Sequence, residues 1–313
     1  MTAHLPAAHR LEPSARTGLS RRGVLRGGLA LGTASLLAAC GSGDVVSAIN
    51  PSRFIAFGDG LSDVGQAGSR YTVNDGTINI WAEHVASRYG KTLSAQSKGG
   101  LGFAQGHGPT EALPRTLAAQ IDAFLASNTF QTDDVVLINL PMADVLAPVA
   151  AVKAGTLTET AALAQVDTHG NARADDMKRL IAAGAKHIVV CGVYDLSRSP
   201  FAAQQDQKGL FSLASLRLND AFKLAAVNLG ANLLFVDAAF LVNRNADDKT
   251  GPAFGFANRT TALCTTPTAF SCNDSTLAST SKASYLFADN LHLTPNGHLQ
   301  LGDYAYLQLH SRW

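Results

Sequence analysis

Arg53-Phe54-Ile55-Ala56-Phe57-Gly58-Asp59-Gly60-Leu61-Ser62-Asp63-Val64-Gly65 decides how the rest of the chain is read. Arg53 to Phe57 is a short, mostly apolar run closed by glycine, the pattern of a buried parallel strand. A Gly-Asp-Gly turn follows, and Leu61-Ser62-Asp63 can open a helix. A strand that feeds a tight turn and a helix N-terminus presents its turn residue at the carboxyl edge of a sheet, where open α/β sheets keep their chemistry.

Working outward, the same alternation continues. Thr92–Ser97, Asp134–Leu140, Lys186–Val193 and Asn232–Asp237 are the next candidate strands, five in all with the first. Asp134–Leu140 and Lys186–Val193 are nearly continuous Val/Ile/Leu runs, as expected of strands covered on both faces. Between them, Asn79–Tyr89, Leu117–Ala126, Thr158–Ala185 (one long helix or two) and Leu213–Asn228 read as helical, with apolar residues near helical spacing. Strands alternating with helices predict a three-layer α/β/α domain on a parallel sheet with right-handed crossovers. No internal repeat and no second domain is visible, and residues 53–313 suit one large α/β domain.

Residues 1–40 read as an address and not as part of the fold. Ser20-Arg21-Arg22-Gly23-Val24-Leu25-Arg26 resembles a twin-arginine export signal. The Gly27–Ala39 stretch is too short and glycine-rich for a spanning helix of about 20 residues. Leu37-Ala38-Ala39-Cys40 resembles a bacterial lipobox, in which the cysteine carries the lipid and becomes the mature N-terminus; an ordinary cleaved signal with a chance cysteine is the other reading. More than one acyl chain makes such anchoring stable. Gly41 in place of Asp leans towards the outer membrane, and residues 41–52 form a short tether. The expected location is the cell envelope, with the membrane as partner through Cys40.

Of the 25 basic and 24 acidic residues, five Arg and one Glu precede Cys40, leaving 20 and 23 and a net charge of −3. No basic run or aromatic-basic interleaving argues for nucleic acid. Cys191 lies inside an apolar strand run and is expected to be a buried thiol. Cys264 and Cys272 stand eight apart in a loop rich in Thr, Ser and Pro, and an exported protein meets an oxidising compartment, so a disulfide is expected there. Apart from His292 and His298, the histidines show no close acid or cysteine spacing, so no metal is expected; no cofactor is expected either.

Phe57, Gly58, Asp59, Leu61, Ser62, Asp63 and Gly65 resemble the first block of the GDSL (SGNH) ester-hydrolase family, Phe-Gly-Asp-Ser-Leu-Ser-Asp-x-Gly. Gly60 stands where that family carries its nucleophilic serine, and glycine has no side chain with which to attack. The resemblance implies a flavodoxin-like strand order. It also implies a Ser-Asp-His triad acting on carboxylic esters, and an oxyanion hole made of three donors: the N–H of residue 60, a glycine N–H of block two and a block-three asparagine. Such donors stabilise the charge that develops on the carbonyl oxygen. Phe287-Ala288-Asp289-Asn290-Leu291-His292-Leu293-Thr294-Pro295-Asn296-Gly297-His298 is similar to the family's fifth block. There His292 would be the general base and Asp289 its orienter; both could equally cap and brace the following helix. His298 is expected to be structural.

Block two, Asn-Tyr-Ala-x-Gly-Gly-Ala in the family, is Gly102-Phe103-Ala104-Gln105-Gly106-His107-Gly108 here. The donor would be the N–H of His107 or that of Gly106. Block three, Gly-x-Asn-Asp, is Pro141-Met142-Ala143-Asp144, so Ala143 replaces the asparagine, and Asn139, four residues upstream in the strand, is not expected to stand in. Ser62, two positions along a helix from residue 60, would point roughly 200° away from it. The leading expectation is a surface lipoprotein with this fold that no longer turns over esters by an acyl-enzyme route, and that either keeps a cleft for an acyl (acyl-ester), glycan or lipid-like ligand or serves a structural role. The alternatives are direct hydrolysis by a His292-activated water in the space left at Gly60, and an interaction protein of the envelope.

Overall fold

The computed structural model describes residues 47–313. The expected export signal, Cys40 and the first part of the tether lie outside the described residues. Four strands make the main sheet: β1 (Phe54–Phe57), β2 (Val135–Asn139), β3 (His187–Cys191) and β4 (Leu233–Val236), in that spatial order and all parallel. Phe54 faces Val135, Val135 faces His187, and Ile188 faces Leu233. Strands β1 and β2 are buried at every position, which is why both read as apolar runs, broken only by Asn139 at the end of β2.

The helices fall into two groups. Helix α1 (Trp81–Arg88) packs on α8 (Pro295–Arg312), which also meets β3, β4 and α7 (Ala238–Ala246). On the other side α2 (Leu117–Leu125), α3 (Ala143–Lys153), α4 (Glu159–Ala182) and α6 (Lys208–Ala225) pack on one another, with α2 against β1, and the short α5 (Pro200–Gln205) leads into α6. Their starts are written locally. Thr116, Thr158 and Thr294 each accept a hydrogen bond from the backbone N–H three residues on, and Pro295 occupies the first helical position of α8. Among the described residues, no helix is long and apolar enough to cross a membrane.

Two expectations are corrected. Thr92–Ser97 is not a strand. Its Ala95 makes a single bridge to Gly102, which in turn bridges Ala56. The Ala56 N–H donates to the Leu101 carbonyl and Phe103 N–H donates back to Ala56, so residues 101–103 take the sheet edge beside β1. The polar Gln96-Ser97-Lys98 forms a 3₁₀ turn closed by Gly99 in the left-handed region, and this stops the strand. The regular sheet therefore has four strands and not five. Nor does Leu61-Ser62-Asp63 open a helix. The Asp59 carboxylate takes the Leu61 N–H, and the Asp63 carboxylate takes those of Gly65 and Gln66. Such local side-chain bonds compete with the helical ladder, and among the described residues the first helix begins only at Trp81.

A feature the sequence did not announce is a second, small core. Strands β5 (Asn258–Ala262) and β6 (Tyr285–Phe287) pair in parallel, and Val73, Leu263, Cys264, Ala269, Cys272 and Ala288 pack together beside them. The Cys264–Cys272 disulfide, Cα atoms 5.8 Å apart, closes this cluster. Cys191 is a free, fully buried cysteine on β3, and burial pushes its thiol pKa up.

Candidate active site

Strand β1 delivers Gly58 to the carboxyl edge of the sheet in a backbone conformation, φ +132°, that side chains rarely adopt. A Cβ there would also lie 2.0 Å from Asn139 Oδ1, so the position admits only glycine. Gln120 of α2 holds this glycine from both sides, accepting its N–H and donating to its carbonyl, each at 2.8 Å. Asp59, next along, is a hub: its carboxylate accepts from Leu61 N–H, from Asn139 Nδ2 at 2.7 Å and from Met142 N–H at 2.6 Å. Asn139 therefore spends its amide on Asp59 and on the Leu140 carbonyl. Ala143 opens α3 with only a methyl group. Ser62 is fully buried and its hydroxyl accepts from Trp81 Nε1 at 3.0 Å, which turns it away from any reacting group.

Opposite the turn stands the Asp289–His292 pair. His292 Nδ1 lies 2.9 and 3.1 Å from the two Asp289 oxygens, and both side chains are essentially without solvent contact. Asp289 also accepts from the N–H groups of Leu291, His292 and Ala269. Burial opposes charge on both residues, but their mutual attraction and hydrogen bonds prevail. Asp289 is held below the ordinary carboxyl range, and His292 is raised above the ordinary imidazole value with help from Asp59 and Asp63. His292 Nε2 is buried and has no hydrogen-bond partner.

The decisive geometry lies between this ring and Gly60. A Cβ added at Gly60 would sit 2.5 Å from His292 Nε2, 2.9 Å from its Cδ2 and 3.1 Å from Tyr71 Cβ. The imidazole thus occupies the place of the absent side chain. The gap between it and the Gly60 backbone is narrower than a water molecule. Tyr71 closes the site: its ring packs against His292, tilted by 43° with centroids 4.8 Å apart, and fills the space over Gly106, where an added Cβ would meet ring carbons at 2.1 and 2.2 Å. Burial, with the charges of Glu111, Asp63 and Asp289, pushes the Tyr71 hydroxyl up to about 12, so it stays protonated at neutral pH. Phe270, inside the disulfide-closed loop, packs on the outer side of Tyr71 at 5.5 Å.

The block-two donors are placed as follows. The Gly106 N–H is taken at 2.8 Å by the buried Asp63 carboxylate, whose own pKa burial pushes up. His107 is buried and its Nδ1 pairs with the Gly108 carbonyl at 2.7 Å, while Nε2 has no partner. Among the described residues, the backbone N–H groups of Gly60 and His107 also have no partner. His298 Nδ1 accepts the Trp81 N–H at 3.3 Å, and burial pushes its pKa well below the ordinary imidazole value, so it is a neutral core histidine. No group of three or more His, Cys, Asp or Glu able to hold a metal occurs among the described residues.

The structure thus brings together Gly60, Gly106, Asp289 and His292. Sequence reasoning missed Tyr71, Phe270 and the Ala269 N–H. No motif or period marks them: Tyr71 and Phe270 meet across 199 residues of chain, and the Ala269 N–H reaches Asp289 from 20 residues away.

Comparison with known proteins agrees on the family. No curated protein matches the chain. Among solved structures it is similar to a member of the lipolytic G-D-S-L family from Veillonella parvula, at 13% identity and a TM-score of 0.46 over 83% of this chain and 99% of the other. It is also similar to a carbohydrate acetylesterase from Sinorhizobium meliloti, at 13% identity and 0.42 over 83% and 100%. A phospholipase A1 from Streptomyces albidoflavus matches at 13% identity and 0.40 over 82% and 98%. These likenesses are too distant to bear on activity. The family profile for GDSL-like lipases and acylhydrolases, by contrast, matches residues 54–305, the greater part of the sequence, and the chain belongs to that family.

Proposed function

We propose that this GDSL-family protein no longer cleaves esters through an acyl-enzyme and acts instead as a ligand-binding protein of the cell envelope, held there by lipid on Cys40. One observation carries the reading: the nucleophile's position is Gly60, and the His292 ring fills the space a side chain there would use. Loss of a serine nucleophile costs about 2 × 10⁶-fold in a worked protease. Ala143 in place of a block-three donor removes a further contribution, about 10²–10³-fold where such a donor has been deleted. Hydrolysis by a His292-bound water needs room on the Gly60 side of the ring, and the contact there leaves none.

Binding is supported by a groove of about 280 Å³ between the loop at Pro109 and helices α3, α5 and α6, walled by Leu146, Val149, Phe201 and Phe211. Lys153, at its rim, is hydrogen-bonded to Gln205 rather than paired with a carboxylate. Apolar walls with one cation suit an acyl chain bearing an anionic head.

The test is a nitrophenyl-ester assay on the purified protein beside His292→Ala, together with titration of a fluorescent medium-chain fatty acid. The expected result is no turnover above the uncatalysed rate in either protein, and saturable binding that Leu146→Trp abolishes. Turnover by the wild type that disappears in His292→Ala overturns the proposal.

A further inference from the structure

The satellite core and the candidate site share one structural element that neither ester chemistry nor ligand binding explains. The segment Arg70–Asn74 carries Tyr71 at one end and is fastened at the other to the loop closed by the Cys264–Cys272 disulfide. Asn74 N–H donates to the Cys272 carbonyl at 2.9 Å, and its side-chain amide reaches the carbonyls of Ala269, Phe270 and Cys272 at 3.1 to 3.4 Å. Val73, fully buried, packs in the same cluster as both half-cystines. The loop then touches the site twice. Phe270 packs against Tyr71, and the Ala269 N–H donates at 2.7 Å to Asp289, the partner of His292.

We infer that the Cys264–Cys272 disulfide is a latch that keeps Tyr71 seated over His292 and Gly60, and that opening it uncovers the His292 imidazole. The bridge ties residues eight apart into a loop whose Ala269–Cys272 portion supplies the Tyr71 support, the Asn74 acceptors and one Asp289 donor together. Reduction by a dithiol transfers two electrons and two protons to the sulfur–sulfur bond, giving two thiols while the dithiol closes to its own disulfide. The freed loop then gains conformational entropy, and its contacts to Tyr71 and Asp289 weaken at the same time. His292 Nε2, now buried without a partner, is the atom that becomes accessible. The latch rests on the reading of this site as closed. Its readout is the accessibility of His292 and not ester turnover, so either proposal can fail without the other.

The experiment is carbethoxylation with diethyl pyrocarbonate, followed by mass spectrometry of the peptides carrying His292 and His298. His298 is equally buried but is held by Trp81 in the main core, and serves as the internal reference. In the oxidised protein both histidines are expected to stay unmodified. After dithiothreitol, and in the Cys264→Ser/Cys272→Ser protein, His292 is expected to react at least tenfold faster while His298 stays protected. Tyr71→Ala with the bridge intact is expected to expose His292 without reductant. Equal His292 rates with and without the bridge overturn the latch. So does modification of His292 and His298 together, which reports global opening, and so does continued protection of His292 in Tyr71→Ala.

Discussion

Placing a serine at position 60 is expected to destabilise the protein. The Gly60 backbone lies outside the left-handed region, so the chain itself tolerates a side chain there. The obstacle is the imidazole. A Cβ at 2.5 Å from Nε2 and 2.9 Å from Cδ2 must push the ring back by about an ångström to reach ordinary contact. The ring cannot retreat freely, because Nδ1 is held by both Asp289 oxygens and Tyr71 covers its face. Overpacking of this kind costs about 1–3 kcal/mol, and a weakened hydrogen bond to a buried charge adds about 1.5–3 kcal/mol. Gly60→Ser should therefore cost about 3–5 kcal/mol. In a domain of this size that lowers the thermal midpoint by roughly 10 °C. Because the collision begins at Cβ, Gly60→Ala should cost nearly as much. Thermal unfolding followed by circular dichroism, with the ester assay run on the same samples, reads all of this. A Gly60→Ser protein as stable as the wild type, or one with burst kinetics on a nitrophenyl ester, would refute the packing argument.

Other consequences can be measured separately. Asp289→Ala strands the N–H groups of Ala269, Leu291 and His292 in the interior and leaves the buried imidazole without its partner, and should cost about 4 kcal/mol or more by denaturant titration. Asp289→Asn tests the pH dependence. His292, raised from its ordinary 6.5, contributes stability that is fully present below that value and lost as pH rises through the folded pKa. Asp289, lowered from 3.8, contributes stability present above that value and lost as pH falls. The stability difference between wild type and Asp289→Asn should thus be greatest between about pH 4 and 6.5 and shrink on both sides. Gly58→Ala should fail to fold stably or lose about 3–5 kcal/mol, since its backbone conformation and Asn139 both exclude a Cβ. Incorporation of labelled palmitate into the full chain, lost in Cys40→Ala, checks the anchor.

How much of this was legible in the sequence depends on the range of the interaction that makes each feature. Strands β2 and β3 were plain because burial on both faces writes a nearly continuous apolar run, Val135–Ile138 in one and Ile188–Cys191 in the other. The Asp289–His292 pair was plain because a spacing of three closes within one turn. Thr92–Ser97 misled because its apolar content is slight and its outcome is set by the turn at Gln96-Ser97-Lys98 and Gly99 that follows. The stretch after Gly60 misled because Asp59 and Asp63 draw backbone N–H groups to their carboxylates, which composition alone does not decide. That position 60 is glycine could be read from one letter, whereas how the fold uses that glycine could not, since Tyr71, Phe270 and His292 come together beside it only in the folded chain. The two glycines of this turn make the distinction concrete. Gly58 is demanded by its own backbone, and any sequence with this turn must keep it. Gly60 is demanded by the side chains packed upon it, so a serine becomes admissible only when His292 and Tyr71 move. A catalytic one requires in addition the donor that Ala143 lacks. A serine at 60 therefore requires a different seat for the His292 ring, and a double change at Gly60 and Tyr71 should be less damaging than Gly60→Ser alone.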